Sequence, residues 1–337
     1  MRLRISISFL ALALSAQAQS LRLSETGLYT NISTKEVKPE NRFYDPQYPL
    51  WTDGAEKRRW IYLPPAQTIR TQGEGADINH WAFPLGTKIW KEFAYNTDSG
   101  LHRVETRLIE KVAEGEWEFG SYVWEEGEND AVLAPSGGLS NHYPVAPGVS
   151  HDIPRRADCL TCHRRGGDPV LGFGALQLST DRDPLSMPSN SVGLDLLMLA
   201  REGLIDRQET ELNPAPRIHA ATAEARVSMG YLHGNCGHCH NPQGSAGWTN
   251  LWMRHDVEMT TEQAAPAFLT AVNQPTLFFQ IPGMESTFRL KGHEPDKSAV
   301  LYRMESTDFN RMPPIGTKLV DERAVQWLRE WLEQLDP

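Results

Sequence analysis

Apolar and polar positions change their period along this chain. In the first 150 residues the pattern is that of strands. Lys57-Arg58-Arg59-Trp60-Ile61-Tyr62-Leu63 stops at Pro64-Pro65, as a strand does. Trp81 to Phe93 contains a Pro84-Leu85-Gly86 turn followed by alternation, and Val104–Val112 and Trp117–Trp124 continue in the same manner. Turns at Asn96–Gly100 and Glu114-Gly115 separate these runs. An antiparallel sheet or sandwich follows, with its tryptophans read as core.

Beyond Ser150 the period lengthens. Pro135 to Pro154, rich in Gly, Ser and Pro, reads as a loop, and Val192 to Leu204 as a helix closed by Gly203. Leu194, Leu197, Met198 and Leu204 are the apolar positions of that helix. Asn213-Pro214-Ala215-Pro216 is a linker. Thr222 then caps a helix with Ala225, Met229 and Leu232 at helical spacing, and small Ser228 permits a close helix crossing. The partner is the last segment, capped by Asp321, with Val325, Leu328, Trp331, Leu332 and Leu335 as its stripe.

Between those helices lies the stretch that carries chemistry, Met229 to Gly244. It contains Cys236, Cys239 and His240 as C-x-x-C-H, and Cys159, Cys162 and His163 repeat the pattern upstream. These four cysteines are the only ones in the chain. Thiols three residues apart share one face of a helical turn and reach the two vinyl groups on one porphyrin edge. The following histidine then projects onto the iron. The expected cofactors are two covalently bound haem c groups, with His163 and His240 as axial ligands.

Three other uses of such cysteines fit less well. Cys236-Gly237-His238-Cys239 spells a redox dithiol, but no tryptophan precedes it and no thioredoxin-like strand-helix alternation surrounds it. Two zinc knuckles would leave both histidines without a purpose. Disulfides closing four-residue loops stabilise little.

Arg311-Met312-Pro313-Pro314 holds the backbone extended, and a thioether suits the sixth position of a cytochrome haem. Met312 is therefore the expected distal ligand of the second haem, with Met304, Met284 and His293 as alternatives. For the first haem His142, His151 and Met187 are the candidates. Arg155, Arg156, Arg164 and Arg165 flank that motif and read equally as propionate partners or as a solvated basic patch.

The 337 residues carry 33 basic and 43 acidic side chains, a formal charge of −10. Arg2 and Arg4, Ile5 to Leu14 and Ala16-Gln17-Ala18 form a secretory leader cleaved after Ala18, whose loss takes the charge to −12. That charge argues against nucleic acid and anionic membrane as partners. The apolar run is too short to span a bilayer, and no later run of about 20 apolar residues occurs. The expected location is the periplasm, and redox proteins are the expected partners.

Residues 219 to 335, with N-C-x-x-C-H-N-P, R-M-P-P and a closing amphipathic helix, resemble a class I cytochrome c domain. Nearly the whole chain resembles a family of exported dihaem c-type cytochromes. The shared stretches are YPLWTDGAEKRRWIYLP, FPLGTKIWKEF, ETRLI, IPRRADCLTCH with LGF and QL, and YLHGNCGHCHNPQG. Residues 81–163 are also similar to the cytochrome c′-beta group and its lysine-cross-linked relatives. That likeness implies a first haem laid against the sheet under an aromatic or aliphatic lid, open to a small molecule; Lys88 and Lys91 read as ordinary strand lysines. Dihaem peroxidases carry their first motif nearer the N-terminus and lack the β-rich leader domain.

The fold class these readings imply is α+β, an N-terminal antiparallel β-rich domain followed by an all-α cytochrome c domain. The expected units are a signal peptide (1–18), a β-rich domain (19–150), a first haem segment packed on it (151–215) and a class I-like domain with the second haem (216–337). The function that follows is electron transfer between redox partners. The second reading is a haem enzyme whose open first haem acts on a peroxide, nitrogen oxide or hydroxylamine. A third, a binding or maturation module, requires Trp51, Trp60 and Tyr62 to be exposed.

Overall fold

The computed structural model describes residues 19–163, 167–186 and 193–335. The leader, Arg164, Arg165, Met187 and Val192 lie outside the described residues. Ten strands come first: β1 (Tyr29–Asn31), β2 (Glu36–Val37), β3 (Arg42–Tyr44), β4 (Glu56–Tyr62), β5 (Lys88–Thr97), β6 (Gly100–Ala113), β7 (Glu116–Trp124), β8 (Ala131–Leu133), β9 (Leu139–Ala146) and β10 (Val149–Ile153). Strands β3 to β8 form one antiparallel sheet in sequence order, while β1–β2 and β9–β10 are separate two-stranded pairs.

Alternation gives the sheet two different faces. On one, Trp60, Trp90 and Leu108 stand opposite one another across β4, β5 and β6. They pack with Leu23, Leu28, Tyr122 and Trp124 in a core of their own. The other face presents Ile61, Ile89, Ile109 and Phe119 in register. There Ile61 and Ile89 join a second core with Trp81, Phe83, Phe173 and Leu178. Trp60 is buried and Trp51 half-buried against the C-terminal core, so the exposed aromatic grip that a binding module needs is absent at those two positions.

The stretch read as a loop between Pro135 and Pro154 is instead the hairpin β9–β10. Its Gly and Pro residues concentrate at the turn, where Gly148 takes φ +74°. The flanking Tyr143, Val145, Val149 and Ile153 are strand formers. Tyr143 stacks on His102 and Tyr95, which fastens the hairpin to β5 and β6.

Six helices follow: α1 (Arg156–Cys162), α2 (Leu196–Arg201), α3 (Ala223–Asn235), α4 (Pro266–Ala271), α5 (Ala299–Glu305) and α6 (Glu322–Gln334). Thr222 caps α3 by accepting from the Ala225 N–H, and Asp321 caps α6 through the Ala324 N–H. The two pack together, with Met229, Leu232, Leu328, Trp331 and Leu332 in the C-terminal core.

The expected all-α cytochrome c domain is not what forms around them. Between α3 and α6 only α4 and α5 are α-helical, at six and seven residues. The rest is turns, short 3-10 segments and extended chain joined by isolated bridges such as Val272–Leu290 and Pro275–Phe288. Asn273, Pro275, Pro282, Gly283, Gly292 and Pro295 interrupt any helical period there, and Asn273 and His293 take positive φ. Capped helices at both ends of the segment do not imply helices between them. No helix among the described residues is long and apolar enough to cross a membrane.

Residues 45–53 tie the sheet to the C-terminal half. The Trp51 N–H donates to Asn235 Oδ1 at 2.6 Å. Asp53 Oδ1 accepts from the N–H groups of Lys318 and Leu319 at 2.7 and 2.8 Å. Between the two halves this leaves a cavity of about 1060 Å³.

Candidate functional site

Both C-x-x-C-H segments open into that cavity. The first rides on α1, which leans on β7. The helix places Cys159 and Cys162 on successive turns and ends at His163, whose N–H donates to the Cys159 carbonyl at 2.9 Å. The His163 ring lies 5.5 Å from the Phe119 ring. Its Nδ1 is 2.6 Å from the Pro169 carbonyl oxygen, so in the Nδ1–H tautomer Nε2 keeps a free lone pair. Burial pulls the His163 pKa down to about 4, leaving a neutral imidazole at pH 7.

The second segment continues from α3. The N–H groups of Cys239 and His240 donate to the Cys236 carbonyl at 3.1 and 2.9 Å, closing a tight turn. Asn241 Nδ2 secures the turn at the carbonyls of Gly237 and His238. Gly237 is required by close approach: a Cβ there would stand 2.7 Å from the His233 carbonyl oxygen and 2.8 Å from Arg254 Cα. His240 is also held neutral by burial, and its Nδ1 lies 3.5 Å from Thr249 Oγ1.

The four cysteines are unpaired and half-buried. Although 77 residues separate the motifs, ligand atoms of Cys162, His238 and Cys239 all lie within 4.8 Å of one another. The contact with Cys239 and then burial push the Cys162 thiol up. Cys239 is favoured as the thiolate by Cys162 and then His238. Cys159 and Cys236 stand outside this group, so the four thiolates of a zinc knuckle pair do not converge.

All seven residues expected at the sites, Cys159, Cys162, His163, Cys236, Cys239, His240 and Met312, line the one cavity. Met304 lines it as well but is buried in the C-terminal core. Met284 and exposed His293 lie outside the cavity wall. His142 is exposed on β9 and also lies outside it. His151 reaches the wall with both ring nitrogens engaged, Nε2 at 3.0 Å from Glu105 and Nδ1 at 3.1 Å from the Tyr95 hydroxyl. Of the flanking arginines, Arg155 is tied to Asp158 at 2.9 Å and largely exposed, and Arg156 is exposed.

Sequence reasoning missed the wall opposite the motifs. Across β4, β5, β6 and β7 the residues Arg59, Lys91, Arg107 and Ser121 stand in register, all lining the cavity. Arg59 pairs with Asp45 at 3.1 Å. Arg107 makes a two-pronged contact with fully buried Glu105, both bonds 2.8 Å. Burial opposes charge on Glu105, but Arg107 and His151 more than offset it and hold its pKa down to about 2. The Lys91 side chain makes neither an ion pair nor a hydrogen bond among the described residues; its Nζ rests 4.9 Å from the Phe93 ring. Burial, then Arg59, Lys57 and Arg107, drives its ammonium well below the ordinary lysine range. Strand register is the signal that joins these residues, and single-strand alternation does not reveal it.

Comparisons of the chain with protein-family models, with curated proteins and with solved structures return no match.

Proposed function

We propose that this chain is an exported, periplasmic dihaem c-type cytochrome that carries electrons between redox partner proteins. The observation that carries the reading is the convergence of both C-x-x-C-H segments and Met312 on one cavity, with Cys162 and Cys239 sulfurs within 4.8 Å. Cys162 and Cys239 would each hold one of the two haem groups through a thioether.

The residues present fit two haem groups. Each motif supplies two free thiols on one face of a turn and a neutral imidazole. The cavity exceeds the roughly 300–1,000 Å³ that usually accommodates one small ligand. Its walls offer flat apolar surface from Ile89, Ile109, Phe119, Phe173, Leu251 and Met253. Haem, when bound, supplies one-electron chemistry. The chain's part is to hold and exclude. Pro169 fixes the orientation and tautomer of His163, the Asn241 bonds hold the turn that carries His240, and the apolar walls keep water away. Met312, anchored by its N–H to the Arg303 carbonyl at 2.9 Å, presents a thioether to the second site.

Anaerobic reductive titration tests this role. The expected result is uptake of two electrons per chain and their return to an added oxidant; uptake of none contradicts it. A second reading, a haem enzyme with an open first site, draws on one observation: His142 lies off the cavity and His151 has no free ring nitrogen. Carbon monoxide bound by the reduced protein, or peroxide by the oxidised protein, favours that reading, and binding in neither state leaves electron transfer alone.

A further inference from the structure

We propose that the Arg59–Lys91–Arg107 row is an oxyanion site in the cavity wall, binding a carboxylate or a small free oxyanion against Lys91. The argument starts from register. Directly opposed residues on neighbouring strands stand about 5 Å apart, and like charges there repel. Three adjacent cations persist only where negative charge offsets them; without it the lysine, the one member able to shed a proton, gives up its charge. Asp45 serves Arg59 and Glu105 serves Arg107, so the two outer members are balanced. The middle one is not.

Lys91 is the one base of the row that forms no ion pair, so a bound anion is what would hold its ammonium charged. Its neighbours on the same face of β5 are Ile89 and Phe93, so an apolar residue at 91 would satisfy the packing. A lysine kept only for its stem would reach solvent with its head, whereas this one lines the cavity. The Phe93 ring gathers the charges, with the Arg107 guanidinium 4.4 Å and the Lys91 Nζ 4.9 Å from its centroid. Ser121 extends the row by a hydroxyl donor. The result is a cavity wall with two basic heads held at one ring, one of them without an ion-paired carboxylate.

The chemistry is that of an oxyanion, and two sources supply it. One is the propionate of a bound porphyrin, a version that rests on the cytochrome reading. The other is a free anion of nitrite or carboxylate type, which does not depend on it. The test uses full-length exported protein, wild type against Lys91→Met and Lys91→Arg, with haem content read separately by mass spectrometry. Nitrite is titrated calorimetrically and by optical spectra, and the midpoint potentials are measured at neutral pH. For a free oxyanion, nitrite binds the wild type, at least tenfold more weakly to Lys91→Met, and normally to Lys91→Arg. For a propionate, nitrite binds none of the three. Lys91→Met then lowers one midpoint potential, because a lost cation favours the ferric state, and Lys91→Arg leaves it in place. Unchanged nitrite behaviour together with unchanged potentials in Lys91→Met overturns the proposal. A chain found without haem counts against the cytochrome reading, and the calorimetric titration still decides the row.

Discussion

Cys236 to His240 extend from a thirteen-residue helix that is capped by Thr222 and packed along α6. Cys159 and Cys162 sit on a seven-residue helix with no side chain buried, which leans on β7 and is closed by His163. The spacing is the same, and the support is not. The second site borrows its rigidity from a helical core and has Met312 on the same cavity wall. The first relies on Pro169, Phe119 and the sheet, and shares the cavity with the charged row on β4 to β6 as well as with His238 and Cys239. On the proposed cytochrome reading, one C-x-x-C-H pattern would serve two surroundings, one suited to holding a potential and the other able to admit a polar ligand.

The strongest way to break that comparison is to remove the sites singly. Cys236→Ala with Cys239→Ala is expected to leave one haem per chain and a loosened C-terminal half. Cys159→Ala with Cys162→Ala is expected to leave one haem with the α3–α6 core intact. Intact-mass spectrometry and thermal melts separate the two. Met312→Ala is expected to lower one midpoint potential and spare the other, since a thioether favours ferrous iron. A potentiometric titration in which neither wave moves removes Met312 from the second site.

Next in size is the charged wall of the first site. Glu105→Gln leaves half-buried Arg107 beside a neutral amide, and since breaking a fully buried pair costs about 3–5 kcal/mol, the loss here is expected at or below the lower end of that range. The sign of its pH dependence follows from a carboxylate lowered from 4.5 to about 2 on folding. Stability from this pair is present above pH 4.5 and is lost as pH falls toward 2. Urea melts at pH 7 and pH 3 are expected to show a smaller gap between wild type and Glu105→Gln at the lower pH. An equal gap at both removes the pair from the account.

How far these features could be read beforehand depended on their range along the chain. The strands β4 to β7 were legible because each is a local alternation ended by Pro64-Pro65, Asn96–Gly100 or Glu114-Gly115. The caps at Thr222 and Asp321 were legible for the same reason. The β9–β10 hairpin was not, because Pro144, Pro147 and Gly148 resemble a loop when their partners across the turn are ignored. The all-α reading failed because helix signals at 222 and 321 were extended over a segment full of breakers. The meeting of Cys162 with Cys239, and the alignment of Arg59, Lys91 and Arg107, exist only in the tertiary fold.

The smallest effects sharpen the contrast in rigidity. Met304→Ala, a buried residue of the C-terminal core, is expected to cost about 2–5 kcal/mol in a urea melt and to leave both potentials in place. Thr222→Ala is expected to cost about 1 kcal/mol through the lost cap on α3. A drop in one midpoint potential for Met304→Ala, with none for Met312→Ala, would instead exchange the roles of Met304 and Met312.

The account stands most directly on the intact mass of the exported protein. It predicts a leader-free chain heavier by two haem groups, both retained under denaturing conditions. A chain at its bare polypeptide mass, from cells that mature other c-type cytochromes, contradicts it.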